Sequence, residues 1–259
     1  PQGAAIAEPL IAVERVSKTF ETRSGQPVHA VDGVDLAVEE NELVTVVGRS
    51  GCGKSTLLRM IAGLIPRSSG AISIAGARVE GPRRDVAIVF QRPALLPWRS
   101  VLDNVLLPAE IMGLDRRQAR ADAEQLLGLV GLDGFESARP YELSGGMQQR
   151  VALCRSLLTK PTVLLMDEPF AALDALTRED LSLELQRIWQ ERRKTIVFVT
   201  HSIDEAVILS DRVVVMTPRP GRVQRIVEVD LPRPRTLGGE GFNRAADEVR
   251  ELLFTREAA

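Results

Sequence analysis

One short segment combines glycines with a lysine and hydroxyl side chains at a spacing suited to binding phosphate. Residues 48–56 read Gly-Arg-Ser-Gly-Cys-Gly-Lys-Ser-Thr, and the spacing Gly48-x-x-x-x-Gly53-Lys54-Ser55 is that of a Walker A loop. Its glycines let backbone N–H groups turn towards an anion, Lys54 would reach the β- and γ-phosphates, and the Ser55 hydroxyl would hold Mg²⁺. A nucleoside triphosphate is therefore the predicted ligand. The residues expected to surround it are Gly48, Arg49, Ser50, Gly51, Cys52, Gly53, Lys54, Ser55 and Thr56.

Two adjacent carboxylates follow an apolar run at 163–166. Asp167 lies where a Walker B carboxylate would orient Mg²⁺, directly or through water, so it is predicted to belong to the metal site. Glu168 would polarise the attacking water as a general base; the alternative is an exposed acid at a strand end. His201 follows another strand candidate at 195–200 and is expected at the same sheet edge. Glu168 and His201 are therefore predicted to be catalytic.

A second segment also suits an anion, almost a hundred residues further along the chain. Residues 143–150 read Leu-Ser-Gly-Gly-Met-Gln-Gln-Arg and open an amphipathic helix. A helix N-terminus carries about half a positive charge, so Ser144 and the N–H groups of Gly145 and Gly146 are candidates for binding phosphate. The alternative is an ordinary helix cap, which Ser144 alone could provide.

Four short apolar runs indicate strands buried on both faces, as in a parallel sheet. Amphipathic helical patterns alternate with them, so we predict an α/β fold with right-handed crossovers. The runs are Leu43–Val47, 163–166, 196–199 and 213–216.

Other regions differ from this core pattern. Residues 10–45 and 70–90, including Val86–Val89, are predicted to form antiparallel strands, and 101–158 are predicted to be helical. The arginine-rich segment 217–235 is interpreted as a solvated connection that ends in a short helix. We expect a single domain over 10–235 and a helical tail over 236–259.

Bulk properties exclude several classes of protein. A net charge of −2 gives no reason to expect binding to nucleic acid. No apolar run approaches the roughly 20 residues of a membrane-spanning helix, and the N-terminal segment has no basic residue before Arg15, unlike a signal peptide. Cys52 and Cys154 are interpreted as reduced thiols. Any role at a membrane is therefore expected to be peripheral.

Six motifs in a fixed order resemble the nucleotide-binding subunit of ATP-binding cassette (ABC) transporters, over about residues 10–235. The resemblance implies a P-loop NTPase (RecA-like) parallel-sheet core with an antiparallel β flap and a helical subdomain. The motifs are Walker A at 48–55, Gln91 in Val-Phe-Gln, 143–148, Walker B at 163–168, Ala-Leu-Asp at 172–174, and Thr-His-Ser at 200–202.

The resemblance explains why one chain carries two anion sites. In this family two subunits pack head to tail and enclose two ATP molecules, so the segment at 143–146 would act on the partner's γ-phosphate. Asp174 would cross the same dimer interface. Phe20 would stack on adenine, although the family often has tyrosine there.

Two further positions are interpreted from the resemblance. Gln91 would contact Mg²⁺ and sense the γ-phosphate, so it is counted with the metal and catalytic residues. Arg49 stands where proline is common in relatives, and we expect its side chain to point to solvent.

The segment after Gln91 indicates the type of ABC protein. Residues 91–100 contain Leu-Leu-Pro-Trp98, an apolar cluster expected to contact an integral-membrane permease; the alternative is that Trp98 is buried. Together with residues 217–222 and 230–235, the sequence of this segment resembles that of the nitrate/sulfonate/taurine importer group. We therefore predict an ATP-hydrolysing importer motor on the cytoplasmic face of the cell (inner) membrane, with a separate permease and an external solute-binding protein.

Other functions share the same catalytic residues. The motor could drive lipid transfer or other transport, or the chain could be a soluble ABC ATPase acting on nucleic acid or ribosomes. A single cassette without sustained heptads between Gln91 and Leu143 favours the transport motor.

Overall fold

The structure is a computed structural model that describes residues 8–21 and 25–254. Its strands are β1 (Ile11–Glu21), β2 (Pro27–Val38), β3 (Leu43–Val47), β4 (Ser69–Ile74), β5 (Ala77–Arg78), β6 (Val86–Val89), β7 (Val163–Asp167), β8 (Thr195–Thr200), β9 (Arg212–Met216) and β10 (Val223–Glu228). Its helices are α1 (Lys54–Ile61), α2 (Val101–Met112), α3 (Arg116–Leu129), α4 (Gly145–Leu157), α5 (Ala175–Arg192), α6 (Ile203–Leu209) and α7 (Glu240–Phe254), with a 3₁₀ turn at Pro140–Glu142.

The core of the described chain is a six-stranded sheet in the order β10-β9-β3-β8-β7-β6. All neighbouring pairs are parallel except β9 and β10. In β3, Leu43 and Val47 face one hydrophobic cluster while Val44 and Val46 face the other, and β7 and β8 alternate in the same way. Burial on both faces explains why these strands read as continuous apolar runs. The predicted α/β fold with a parallel core sheet is confirmed.

A second sheet is antiparallel, with the strand order β2-β1-β4-β5. Its buried residues share a hydrophobic cluster with α1 and with one face of the core sheet. Phe20, near the end of β1, pairs with Val28 of β2. This sheet therefore lies against the core on the side of the segment at 48–56.

The placement of Val86–Val89 in the antiparallel region was wrong. The structure makes it β6, the parallel edge strand of the core sheet, in register with β7 from Val86↔Val163 to Val89↔Met166. Four apolar residues carry no periodicity that identifies their sheet partner, and only tertiary packing decides it. The chain therefore leaves the core sheet just before Gln91.

Helices α2, α3 and α4 fall within residues 101–158 and pack on one another. Ser100 caps α2 by accepting a hydrogen bond from the Asp103 N–H, and Gly113 ends it in the left-handed conformation. A serine cap and a glycine stop set the limits of this helix in the sequence itself.

The interpretation of 217–235 as a solvated connection was wrong. Part of this segment forms β10, and Arg235 is buried, with its guanidinium donating to the backbone carbonyls of Val207, Ser210, Val229 and Leu231. Burial lowers the pKa of Arg235 to about 10. Arginine is usually exposed, so the arginine-rich composition of the segment gave no sign that carbonyl groups surround one buried arginine.

Helix α7 follows this segment and buries Phe242, Ala246 and Val249 in the hydrophobic cluster that covers one face of the core sheet. Residues 255–259 of the predicted tail lie outside the described residues. No helix within 8–21 and 25–254 combines the length and hydrophobicity needed to cross a bilayer.

Candidate functional site

The segment at 48–53 turns between β3 and α1, at the carboxyl edge of the core sheet. Gly53 has φ 104°, and a Cβ there would lie 2.6 Å from the Ala30 carbonyl oxygen. Gly51 has φ 78°. Residues with a side chain rarely adopt such a positive φ, so glycine is required at both positions for the chain to enter the first turn of α1. The loop presents its backbone to a cavity beside a helix N-terminus, which suits a phosphate.

Lys54 begins α1 and is only 4% exposed. Its Nζ donates to the Gly48 carbonyl at 2.8 Å and lies 3.7 Å from Glu168 Oε1. A nearly buried ammonium with a single carboxylate nearby is a strong attractor for further negative charge. Its position therefore fits a polyphosphate.

Ser55 and Asp167 meet across the site. The Ser55 hydroxyl donates to Asp167 Oδ1 at 2.5 Å, and Arg59 lies 3.4 Å from Asp167 Oδ2. The two residues come from α1 and from the end of β7. A hydroxyl and a carboxylate oxygen at this distance are hard oxygen donors of the type that Mg²⁺ prefers, so the pair fits a magnesium ion.

Glu168 lies directly after β7 with φ 47°, an uncommon conformation for a residue other than glycine. Its N–H donates to the Val199 carbonyl at 2.9 Å, which fixes this backbone against β8. Glu168 Oε2 lies 3.1 Å from His201 Nδ1, and His201 is half exposed. Strain of this kind concentrates at functional sites, where the surrounding structure holds the side chain in position. The geometry gives a carboxylate that can accept a proton, with an imidazole to orient it.

Lys54, Ser55 and Glu168 line one cleft of about 450 Å³. Asp167 and His201 contact this lining but do not line the cleft themselves. Phe20 stands 40% exposed at the cleft, with Lys18 Nζ 5.0 Å from its ring centroid. We call residues 48–53 the phosphate-type loop. An exposed aromatic face close to this loop is suited to a planar base. The lining residues are Phe20, Val28, Ala30, Ser50, Gly51, Gly53, Lys54, Ser55, Thr56, Gln91, Glu168 and Arg219.

Two residues predicted around the triphosphate direct their side chains elsewhere. Arg49 is exposed, as expected, with its guanidinium 5.7 Å from the ring centroid of Phe254 at the end of α7. Cys52 is buried in the hydrophobic cluster below the loop, and burial raises the pKa of its thiol. Neither residue lines the cleft, nor does Gly48, whose carbonyl accepts from Lys54.

The segment at 143–146 does not line this cleft either. Ser144 caps α4, with its Oγ accepting from the Met147 N–H at 3.2 Å, so the alternative of an ordinary cap describes what this residue does here. Gly146 is closely packed, because a Cβ there would lie 2.6 Å from Thr177 Cγ2. The N-terminus of α4 therefore rests on the start of α5, apart from the chain's own phosphate-type loop.

Asp174 caps α5 in the same region. Its carboxylate accepts from both the backbone N–H and the hydroxyl of Thr177, and these bonds hold the pKa of Asp174 below its usual value. The ionised form is therefore favoured at this helix start.

Sequence reasoning missed a pair of residues behind His201. Glu205 is buried and accepts from the Thr200 hydroxyl at 2.5 Å, while Arg178 lies 3.5 Å from its other oxygen and donates to the Leu173 carbonyl. Burial raises the pKa of Glu205. An acid in the first turn of the helix after Thr-His-Ser was the available signal. The pair ties the loop at His201 to the loop before α5.

The segment at 91–100 is ordered by buried contacts, while its tryptophan faces outward. Asn104 is fully buried and accepts from the Leu96 N–H at 2.7 Å, and Arg155 of α4 donates to the Pro93 and Ala94 carbonyls. Trp98 is 70% exposed, so the alternative of a buried Trp98 is wrong. A large aromatic presented on an ordered loop marks a contact surface.

Comparison with known proteins gives a consistent family. Residues 31–171 match the ABC transporter family. The chain is 46% identical to the taurine import ATP-binding protein TauB of Rhizobium johnstonii, covering 96% of this chain and 98% of that protein. It is 42% identical to the aliphatic sulfonates import ATP-binding protein SsuB of Bacillus cereus, covering 92% and 94%.

A solved structure agrees with the fold and with the nucleotide. The dimeric cassette MJ0796, in a post-hydrolysis state bound to ADP and phosphate, superposes with a TM-score of 0.75 at 31% identity, covering 86% of this chain and all of that one. The chain belongs to the ABC transporter family, as one of its ATP-binding ATPase cassettes.

Proposed function

We propose that the chain is the ATP-hydrolysing motor of an importer for a small anionic solute, of the nitrate, sulfonate or taurine type. The observation that carries this proposal is the cleft lined by Lys54, Ser55 and Glu168. Behind this lining, Asp167 accepts from Ser55 at 2.5 Å and His201 lies 3.1 Å from Glu168. The relatives named for taurine and sulfonate import, matched over nearly their whole length, support the class of solute.

In the proposed reaction the glycine loop and Lys54 bind the phosphates of ATP. Ser55, Asp167 and Gln91 hold Mg²⁺, which when bound neutralises phosphate charge. Glu168 accepts a proton from the attacking water, and His201 orients that carboxylate through its 3.1 Å contact. Phe20 stacks on the adenine from the antiparallel sheet.

Two such chains pack head to tail in the proposed assembly, so that each cleft is closed by its partner. Ser144, Gly145 and Gly146 then contact the γ-phosphate held by the other subunit. Support comes from the N-terminus of α4, which does not line its own chain's cleft, and from the dimeric form of the solved cassette MJ0796.

The surface at 91–100 is proposed to dock on an integral-membrane permease, which places the chain at the cytoplasmic face of the cell (inner) membrane. The exposed Trp98 on a loop ordered by Asn104 and Arg155 supports this. A solute-binding protein outside the membrane would deliver the solute to that permease. The alternatives are a motor for lipid or other transport, and a soluble ATPase acting on nucleic acid or ribosomes.

Replacing Glu168 by Gln tests the base assignment. The amide keeps the size of the side chain but cannot accept the proton, so turnover should fall by at least 100-fold while ATP still binds. Glu191→Gln, at an exposed position near the end of α5, is the matched control and should hydrolyse ATP at the normal rate. A Glu168→Gln chain that keeps normal turnover would refute the assignment.

Mixing two inactive variants tests the shared site. A Ser144→Arg chain and a Lys54→Ala chain form a heterodimer in which one site carries both defects and the other carries neither. Partial ATPase activity should return on mixing. If heterodimers form without any recovery, the sites are not shared.

Capturing the partner tests the transport assignment. Tagged Glu168→Gln chain, incubated with ATP and native membranes, should recover a polytopic permease identifiable by mass spectrometry. Trp98→Ala should recover less of it while its own ATPase is unchanged. Recovery of ribosomal or DNA-bound proteins without a permease would favour the soluble alternative.

A further inference from the structure

The turn between β9 and β10, residues 217–222, reaches the nucleotide cleft from a direction that the six motifs do not describe. This turn reads Thr-Pro-Arg-Pro-Gly-Arg. It leaves the core sheet at the same edge as the phosphate-type loop, since β9 is the parallel neighbour of β3. The sequence offered it only as a mark of an importer subgroup. Its position gives it a chemical role.

The turn is fixed to β2 by backbone hydrogen bonds and an ion pair. The Gly221 N–H donates to the Ala30 carbonyl at 3.0 Å, and the Gly221 carbonyl accepts from the Asp32 N–H at 2.9 Å. Arg222 forms an ion pair with Asp32 at 2.6 Å. The turn is therefore held on β2, whose Ala30 lines the cleft. A side chain projecting from it has a defined origin.

Arg219 projects from this turn onto the phosphate-type loop. Its Nε donates to the Gly51 carbonyl at 3.2 Å, and its side chain lines the cleft together with Lys54 and Ser50. Its NH2 atom lies 3.4 Å from the position of a Cβ on Gly51. Arg219 makes no ion pair with a carboxylate within residues 8–21 and 25–254. Most of its donors remain available to a ligand.

The charges that line the cleft also favour a contact between Arg219 and an anionic ligand. The charged residues that line the cleft are Lys54, Arg219 and Glu168. Without Arg219, the one lining lysine would face both a carboxylate and a triphosphate. A planar guanidinium offers paired donors that match phosphate oxygens, whereas the lysine acts as a point charge.

We propose that Arg219 is a nucleotide-contacting residue, which binds the phosphates of ATP from the β9–β10 turn and supplements Lys54. This rests on ATP binding in the cleft described above. The turn at 217–222 thereby becomes part of the nucleotide site, contributed about 170 residues after the phosphate-type loop.

Calorimetric titration of the full chain with MgATP tests the proposal. Arg219→Ala should weaken ATP binding about tenfold, the loss expected for one charge-assisted contact at a partly exposed site. Adenosine, titrated at millimolar concentration, should bind equally well to both chains because it carries no phosphate. Arg225→Ala, an exposed arginine on β10 that does not line the cleft, is the matched control and should leave both affinities unchanged.

Three results are informative. A tenfold loss for ATP alone supports the contact. Unchanged ATP affinity in Arg219→Ala overturns it, as does an equal loss for ATP and adenosine, which would indicate a distorted loop. Lys54→Ala in the same titration separates this proposal from the nucleotide site itself, since the latter fails only if Lys54→Ala also binds ATP normally.

Discussion

Gly221 is the position at which the β9–β10 turn is packed most closely against the phosphate-type loop. A Cβ at this residue would lie 1.9 Å from the Cys52 carbonyl oxygen and 2.8 Å from Met216 Cε, whereas ordinary contact begins near 3.4 Å. The methionine can rotate away, but the carbonyl belongs to the loop that leads into Lys54. Because 1.9 Å is about 1.5 Å shorter than ordinary contact, alanine at 221 must displace the backbone by roughly that distance.

The expected cost follows from that displacement. Overpacking of this kind costs about 3 kcal/mol, which lowers the melting temperature of a chain of this size by roughly 6–12 °C. Because the displaced carbonyl lies in the phosphate-type loop, the stabilisation by MgATP should also be smaller for Gly221→Ala. Thermal unfolding followed by tryptophan fluorescence, with and without MgATP, measures both effects.

Gly81→Ala is the matched control. Gly81 has no unusual φ, and a Cβ there would meet no atom within 4 Å. Its melting temperature should stay close to that of the unsubstituted chain. A Gly221→Ala chain that melts within about 2 °C of Gly81→Ala would contradict the close packing of the turn on the loop.

Further predictions concern groups away from the cleft. Arg235→Met should destabilise the fold by about 3 kcal/mol, because it leaves buried carbonyls without donors; a normal unfolding midpoint in urea would contradict these hydrogen bonds. Cys154 is fully buried with a raised pKa, so maleimide should label it only after denaturation, as peptide mass spectrometry can show. A hydrogen bond from Arg83 lowers the pKa of Asp85. The pair therefore stabilises the fold fully above the unfolded pKa of about 3.9, and this stabilisation disappears as the pH falls through the lower folded pKa. Asp85→Asn should therefore cost about 0.5 kcal/mol at pH 7 for this partly exposed pair and nothing near pH 2, in urea titrations at both pH values.

The parts of the fold that sequence could predict are those with a local cause. Leu43–Val47 is apolar throughout because both faces of β3 are buried, and Gly53-Lys54-Ser55 has a spacing that few structures other than a phosphate loop require. Ser100 and Gly113 delimit α2 for reasons contained in the helix itself. Such features need no knowledge of distant residues.

What sequence could not predict depends on partners far along the chain. Val86–Val89 joins the parallel sheet only because β7, more than seventy residues later, is its neighbour. The Arg219 side chain meets Gly51 across 168 residues. The carbonyls around Arg235 come from two segments, 207–210 and 229–231. No periodicity in these segments announces such contacts. The roles given to Gln91 and Phe20 remain predictions, as does that of Ser144, which the mixing of Ser144→Arg and Lys54→Ala chains tests.

One consequence follows from the arginine that fixes the segment at 91–100. Arg155, on α4, holds the Pro93 and Ala94 carbonyls, and the same helix begins at Gly145, beside Ser144. Thirteen residues make α4 about 20 Å long at 1.5 Å per residue. A rigid-body displacement of α4 would therefore move Ser144 and the segment at 91–100 together. A displacement at either end would reach the other without any unfolding between them.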